Sequence, residues 1–355
     1  MFRSGIIVCA IGLLVGIGRS EEPGPPTEPS QPSPMSGMPQ LLPDPTRSTG
    51  SETRPSVLPD VLPESRSSGL VVIFSDFLLL RAIRSGSEYV VVDNNTDNNP
   101  EGIFRAPEAD YHAGFRVGGR WRPGRLTWDL GASYSYWRGS DSEFLVSPNS
   151  GQMFTTLTRP GVISTADSAS TQNRIGWDLY DLEFGREFRS DQGRVRPHFG
   201  VRIADLDRAS VTVYDGRDAT LARVRAEQQF IGAGALVGGE MEWQLGRFLR
   251  LFAQARGGTI VGILETTWRE TNVDDSIVLT DLSSRRQQVA PVVELLLGGT
   301  IQIRRLQFQA GYLVTSWFQL FHDLDFPDDV HDGKAFFRST PTSFDGVSVR
   351  LAWRF

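Results

Sequence analysis

The sequence predicts an all-β fold: a closed antiparallel transmembrane β-barrel of about ten strands, preceded by a disordered Pro-rich N-terminal segment. Three observations support this prediction. The residues at the C-terminal end alternate strictly between apolar and polar, the N-terminal end has the features of an export signal, and similar alternation recurs between links that are alternately short and long. Bacterial outer-membrane barrels combine these features, because their strands face lipid on one side and a polar lumen on the other.

The final strand has one wholly apolar face and one polar face. The apolar face consists of Val347, Val349, Leu351, Trp353 and Phe355, and the other consists of Gly346, Ser348, Arg350, Ala352 and Arg354. A terminal Phe after such alternation resembles the sorting signal of the outer-membrane barrel-insertion machinery. We therefore expect Val349, Leu351, Trp353 and Phe355 to be the insertion signal. The expected partners are this machinery and outer-membrane lipid.

Residues 1–20 have the features of a secretory signal peptide. Arg3 precedes an apolar run over residues 5–17, and the small residues Gly18 and Ser20 follow it. The run is too short to cross a bilayer as a helix. Cys9, the only cysteine, lies within this run. The chain after residue 20 is therefore expected to be held together without disulfides.

Residues 21–68 are dominated by Pro, Ser, Thr and Gly, which predicts a disordered or polyproline-like linker. Two interpretations of the linker stay open: a solvated spacer, which the composition favours, and a tether that contacts the cell wall. The formal net charge of the whole chain is −6. This acidic balance argues against a nucleic-acid partner.

Residues 69–355 contain the predicted barrel. Its ten candidate strands lie near residues 70–81, 110–122, 125–138, 173–189, 194–207, 226–244, 247–264, 287–303, 305–320 and 344–355. Four links are tight turns, whereas the links near 82–109, 139–172, 208–225, 265–286 and 321–343 are long and polar. This length asymmetry is typical of outer-membrane barrels. Residues 70–80 are apolar on both faces, so we expect a shorter first strand that packs partly against loops.

The period-two alternation also fits a soluble barrel with an apolar interior, such as a lipocalin. Two features favour the membrane instead. Charged residues accumulate on one face of most strands, and aromatic residues lie at the ends of the apolar faces: Trp121, Trp128, Tyr136, Trp243 and Trp353. Such aromatic girdles mark the two membrane interfaces. The expected location is the bacterial outer membrane.

The face predicted to line the lumen carries charges of both signs. These are Arg116, Arg120, Arg196, Arg202, Arg250, Arg256 and Arg350 together with Asp129, Asp181, Glu183, Glu240, Glu242 and Glu294. Charges enclosed in a narrow barrel must pair or stay hydrated. Two interpretations follow: a stabilising lattice of arginine–carboxylate pairs, and a conducting pore lined by the same residues.

Catalytic chemistry is not expected. Ten strands is also the strand number of omptin-type surface proteases, but the four histidines are His112 and His198 within strands and His322 and His331 in the last long link. That link is acidic over residues 322–332, yet no fixed spacing organises its ligands, so a solvated loop is favoured over a cation site. We expect no catalytic residue, no metal and no cofactor.

Three segments carry a family resemblance: residues 289–299, 310–319 and 343–355. Together with the signal peptide and linker, they resemble planctomycete-type outer-membrane β-barrel proteins, and they are more remotely similar to the Legionella-type major outer-membrane protein family. The resemblance spans residues 70–355 and implies a porin-like or structural surface protein with no catalytic residue. Legionella-type proteins depend on cysteines, so their disulfide-linked assembly is not carried over to this chain.

The function expected from the sequence is therefore passive: a narrow porin-like channel or a structural surface protein. The alternatives are a surface-binding protein that acts through its long loops and, least favoured, a barrel enzyme. Electrical conductance separates a channel from the other classes.

Overall fold

The computed structural model describes residues 69–355, apart from residues 85, 98, 100, 125, 126, 160, 162, 191, 218, 247, 273 and 327–334. The predicted signal peptide (1–20) and linker (21–68) lie outside the described residues and stay predictions. In the part of the chain that the structure describes, no helix is long and apolar enough to span a bilayer.

The described residues form fifteen strands. In chain order these are β1 (Leu70–Arg84), β2 (Val90–Asp93), β3 (Gly102–Arg105), β4 (His112–Arg122), β5 (Trp128–Val146), β6 (Gln152–Thr155), β7 (Thr165–Ala166), β8 (Ser168–Arg186), β9 (Phe188–Ser190), β10 (Gly193–Gly216), β11 (Ala219–Gln244), β12 (Leu249–Asn272), β13 (Val278–Ile303), β14 (Leu306–Asp325) and β15 (Phe336–Arg354).

The ten long strands close into an antiparallel barrel. Each pairs with the next long strand, and β15 returns to pair with β1, from Val72 opposite Arg354 to Arg84 opposite Thr342. Closure leaves no unpaired edge along the wall. The prediction of an all-β, ten-stranded closed antiparallel barrel is confirmed.

The alternation places apolar side chains on the outside of the barrel. On β10, Val195, Phe199, Val201 and Ile203 are exposed, whereas the intervening Arg202 is buried. Toward one end of the barrel, this outer band stops at outward-facing charged residues: Arg81, Arg138, Asp205, Glu227, Glu265 and Arg285. Toward the other end it stops near the outward-facing Trp121, Trp128, Trp243 and Trp353. An apolar band bounded in this way faces lipid.

Most strands are longer than the sequence predicted. β10 and β11 have 24 and 26 residues, so the long link predicted over residues 208–225 is wrong and only residues 217 and 218 separate the strands. Likewise, the link predicted over residues 265–286 is reduced to 273–277. Beyond the lipid band, charged side chains enter the outer face, as at Arg223, Arg225 and Glu227 on β11. The apolar-outside pattern therefore ends although the backbone ladder continues.

The first strand also differs from expectation. β1 has 15 residues and pairs with β15 on one side and β4 on the other. It is apolar on both faces because one face contacts lipid while Leu78 and Leu80 on the other are fully buried inside the barrel. The prediction of a shorter strand packed against loops is therefore wrong.

A separate four-stranded sheet, in the order β3-β2-β6-β7, is formed by two of the long links. Val90 of β2 and the preceding Tyr89 are fully buried, and they cluster with Tyr214 and Trp268 on the inner faces of β10 and β12. The Tyr214 hydroxyl donates a hydrogen bond to the Tyr89 carbonyl at 2.6 Å. We call this small sheet the cap, because it covers the barrel end that has the long links.

Candidate functional site: the barrel interior

The inner face changes character from one end of the barrel to the other. We call the end formed by the links 123–127, 187–192, 245–248 and 304–305 the short-turn end, and the opposite end the long-loop end. The inner-facing residues of β10 give the order of the zones: Arg194, then Arg196 and Arg202, then Leu206, then Tyr214 under the cap. The interior thus contains an arginine-rich mouth, an ion-pair lattice, an apolar layer and the cap.

Glu294 is one centre of the ion-pair lattice. Its carboxylate on β13 lies 3.3 Å from Arg116 on β4, 3.5 Å from Arg202 on β10 and 3.4 Å from Arg256 on β12. Neither β4 nor β10 is a neighbour of β13 in the sheet, so two of these contacts cross the interior. All four side chains are almost completely buried.

Arg196 on β10 is the second centre of the lattice. Its guanidinium group lies 2.5 Å from Asp129, 3.2 Å from Glu183 and 3.1 Å from Glu240. Gly185 leaves room for this buried side chain, because a Cβ there would lie 2.5 Å from Arg196 Cζ. An arginine surrounded by three carboxylates is oriented by its fixed fork of donors.

Further pairs extend the lattice around the barrel. Arg120 lies 2.6 Å from Glu240, and Arg350 forms a two-bond pair with Asp76 at 2.6 and 2.8 Å. The Arg350 guanidinium also lies over the Phe74 ring at 4.2 Å. The sequence analysis missed Asp76 as the partner of Arg350. The available indication was that Asp76 is a single acidic residue within the apolar first strand.

All thirteen charged residues selected from the sequence lie on the inward-facing side of their strands. Nine are buried: Arg116, Asp129, Asp181, Glu183, Arg196, Arg202, Glu242, Arg256 and Glu294. The other four are partly buried: Arg120, Glu240, Arg250 and Arg350. Some of their partners are on neighbouring strands and others are across the interior, and the contacts across the interior depend on closure of the barrel.

One cluster in the lattice has the composition of a metal site. Ligand atoms of Glu183, His198 and Glu240 all lie within 4.8 Å of one another. Both carboxylates, however, already contact Arg196 at 3.1 to 3.2 Å. A divalent cation would have to displace this arginine from both carboxylates and add two positive charges to a buried site. The cluster therefore fits an ion-pair role better than a metal centre.

An apolar layer crosses the barrel on the long-loop side of the lattice. Trp177 is at its centre, with ring centroids 4.4 Å from Phe344 and 5.4 Å from Trp137. These rings belong to β8, β15 and β5, and the layer continues with other fully buried inner-face side chains: Leu78, Leu80, Ala204, Leu206, Phe230, Ile260, Leu264, Ala290 and Trp317. The Arg202 guanidinium lies 5.3 Å from the Trp317 ring centroid and joins the lattice to this layer.

Between the apolar layer and the cap, Asp323 accepts hydrogen bonds from Arg84 and from Arg208, the latter at 2.8 Å. The preceding His322 is held through its backbone by Gln228. Both residues belong to β14, so the prediction that 322–325 is part of a solvated acidic loop is wrong. The rest of that predicted loop, including His331, lies almost wholly outside the described residues.

The long-loop end also contains a histidine–carboxylate pair. His112 Nε2 lies 2.8 Å from Asp141 Oδ1, and the His112 ring meets Trp137 edge-on at 6.2 Å. The Trp137 indole donates a hydrogen bond to the His112 carbonyl at 2.9 Å. These contacts connect β4 to β5 at the rim of the barrel.

A closed barrel with a lipid-facing apolar band and a polar, ion-paired interior is an outer-membrane β-barrel protein, and its location is the bacterial outer membrane. Comparison with known families agrees. Residues 71–355 match the family described as Legionella pneumophila major outer membrane protein precursor, and the chain belongs to this family.

Comparison with solved structures gave matches of low similarity. The outer membrane protease OmpT from Escherichia coli is 11% identical, with 81% of this chain and 97% of that chain covered and a TM-score of 0.46. A Pseudomonas aeruginosa FadL homologue is 8% identical, with 81% and 90% covered and a TM-score of 0.23. At these values the structures bear on neither the substrate nor the activity of this chain. A search of curated proteins found no match.

Proposed function

We propose that this protein is a structural component of the outer membrane: a barrel closed to ion flow, with its short turns in the periplasm and its long loops at the cell surface. One observation supports this most strongly. A continuous layer of fully buried apolar side chains, with Trp177 and Trp317 among them, separates the lattice from the cap. Ions need a hydrated path to cross a bilayer, and a dry apolar layer is a barrier to them.

The runner-up is a narrow porin-like channel. Its support is the set of inner-face charges, which would line such a pore. Those charges contact one another closely, however, and the side chains of Arg116, Arg196, Arg202 and Glu294 have 3% exposure or less. Conduction through this barrel would need the lattice, the apolar layer and the cap to open together.

We propose no catalytic activity for this chain. We also propose that it belongs to the planctomycete-type subgroup, because its C-terminal segments resemble those proteins.

Cysteine accessibility tests the closed barrel directly. The chain after residue 20 has no cysteine, so Leu206→Cys introduces a unique thiol into the apolar layer. In folded protein, this thiol is expected to react with a small charged thiol reagent on the order of 100-fold more slowly than exposed sites, because reaction requires local opening. Ser150→Cys and Ser190→Cys, at the exposed long-loop and short-turn ends, are the matched controls. Equal rates at all three positions would contradict a closed barrel.

The proposed insertion signal gives a second prediction. Phe355 is exposed on the lipid face, and its backbone N–H donates one hydrogen bond to the Val71 carbonyl at 2.9 Å. Loss of that bond changes stability by only about 1 kcal/mol, so deletion of Phe355 should leave a barrel that can still fold. We nevertheless expect the deletion variant to accumulate in the periplasm, as measured by membrane fractionation.

Phe308→Ala is the control, because Phe308 is likewise exposed on the outer face but lies far from the terminus in sequence. Its outer-membrane level is expected to be normal. A normal level of the Phe355 deletion variant would rule out a role of this residue in recognition by the insertion machinery.

A further inference from the structure

We propose that the short-turn end of the barrel contains a binding site for a multivalent phosphate-type anion. The site is formed by Arg122, Arg189, Arg194, Arg250 and Arg354, which we call the arginine basin. The basin adjoins the lattice on its short-turn side and is separated from the apolar layer by it, so the proposal does not depend on whether the barrel conducts.

The basin has more guanidinium groups than carboxylates to balance them. Glu187 contacts Arg194 at 3.2 Å and Arg122 at 3.9 Å, and it also accepts a hydrogen bond from Arg189. Glu242 contacts Arg250 at 3.4 Å and pairs with Arg194 as well. Among the described residues, the five basin arginines therefore share these two carboxylates. Asp129 and Glu240 also line the smaller cavity, but they pair with Arg196 and Arg120 of the lattice, so the basin arginines keep three positive charges in excess.

Arg354 shows most clearly that a partner is missing. One of its terminal nitrogens donates to Gln307 at 2.6 Å, but its Nε is buried and finds no hydrogen-bond acceptor among the described residues. A buried donor without an acceptor is unfavourable by about 1 to 3 kcal/mol. An anion in the basin would supply both the acceptor and the negative charge.

The basin also has space for such a ligand. It contains two adjoining cavities of about 60 and 290 Å³, and Arg189, Arg194 and Arg354 line both of them. Since a water molecule occupies about 30 Å³ of liquid, the larger cavity can hold a phosphate or pyrophosphate with some hydration. The planar fork of arginine matches phosphate oxygens in pairs of hydrogen bonds.

The ligand would connect parts of the chain that are distant in sequence. Arg189 and Arg194 flank the link between β9 and β10, Arg250 begins β12 after a tight turn, and Arg354 ends β15. A ligand that binds only the folded barrel stabilises it in proportion to the logarithm of its concentration. Anion binding is therefore expected to raise the unfolding temperature of the barrel.

The test is thermal unfolding of the refolded full chain in nonionic detergent. Sodium pyrophosphate and inorganic phosphate are titrated separately, against sodium chloride at matched ionic strength. We expect a saturable rise in the unfolding temperature with pyrophosphate, a smaller rise with phosphate and none with chloride. Arg354→Gln and, separately, Arg250→Gln should each weaken pyrophosphate binding on the order of 10-fold, as expected for loss of a charge-assisted hydrogen bond.

Arg285→Gln is the control, because Arg285 is exposed on the outer face of β13 and pairs with Glu265 at 3.3 Å. Its pyrophosphate affinity should equal that of the wild type. The proposal is overturned if the rise does not saturate, if chloride reproduces it, or if both basin variants keep wild-type affinity. Use of two basin variants keeps the test decisive when one of them does not refold.

Discussion

Glu294→Gln is expected to lower the free energy of unfolding by about 3 to 5 kcal/mol, the range found when one partner of a buried ion pair is removed. Three guanidinium groups, those of Arg116, Arg202 and Arg256, contact the Glu294 carboxylate at 3.3 to 3.5 Å. The substitution keeps the size of the side chain but removes its negative charge, so the lattice gains one positive charge where solvent barely reaches. Denaturant unfolding of the refolded protein in detergent, followed by tryptophan fluorescence, measures the change.

Glu265→Gln is the matched control. Glu265 makes the same kind of contact with Arg285 at 3.3 Å, but both side chains are more than half exposed. Water and salt screen such pairs, and their contribution to stability is small. Equal effects of the two substitutions would mean that the lattice is hydrated, as in a pore, and would contradict the closed interior.

Trp177→Ala should destabilise the barrel by a similar amount, about 3 to 5 kcal/mol, since it empties a large volume in a packed interior. Trp177 contacts Phe344 and Trp137 through their rings and is fully buried. The two neighbouring rings come from β15 and β5, so they cannot collapse into the space on β8 without moving the barrel wall. The same unfolding experiment gives the size of the effect.

The control for this substitution is Phe144→Ala. Phe144 is an aromatic residue on β5 that faces outward beyond the lipid band and is 65% exposed. Its removal leaves no internal cavity and should change the unfolding midpoint little. If Trp177→Ala changed the unfolding midpoint as little as Phe144→Ala does, the apolar layer would have to be loosely packed.

The barrel and its orientation of faces could be predicted because period-two alternation is a local property of each strand. The strand ends could not, since beyond the lipid band the outer face becomes polar, as at Asp205 and Asp207 on β10. The cap was missed for a different reason. Its strands have two to four residues each, which is too short for any periodic pattern to be recognised.

The thirteen charged residues chosen from the sequence all lie on inner faces of their strands, but their partners could not be predicted. Arg256 contacts Glu294 on the neighbouring strand, as adjacent positions in the sheet allow. Glu240 instead contacts Arg120 on β4, which lies across the interior. Pairs across the interior depend on closure of the barrel and on the stagger of its strands, and neither property can be read from the sequence of a single strand. The apolar layer did leave a signal: Trp177 and Trp317 are large apolar residues on strand faces that also carry polar side chains.

The central claim is that the barrel does not conduct, and planar-bilayer recording tests it most directly. Purified, refolded protein is added to a lipid bilayer in concentrated KCl, with a general porin as the positive control for insertion. Because the layer of buried apolar side chains around Trp177 and Trp317 is a barrier to ions, the predicted result is a silent bilayer, with insertion verified by protease protection in liposomes of the same lipid. Reproducible unitary current steps from the wild-type protein would contradict the account.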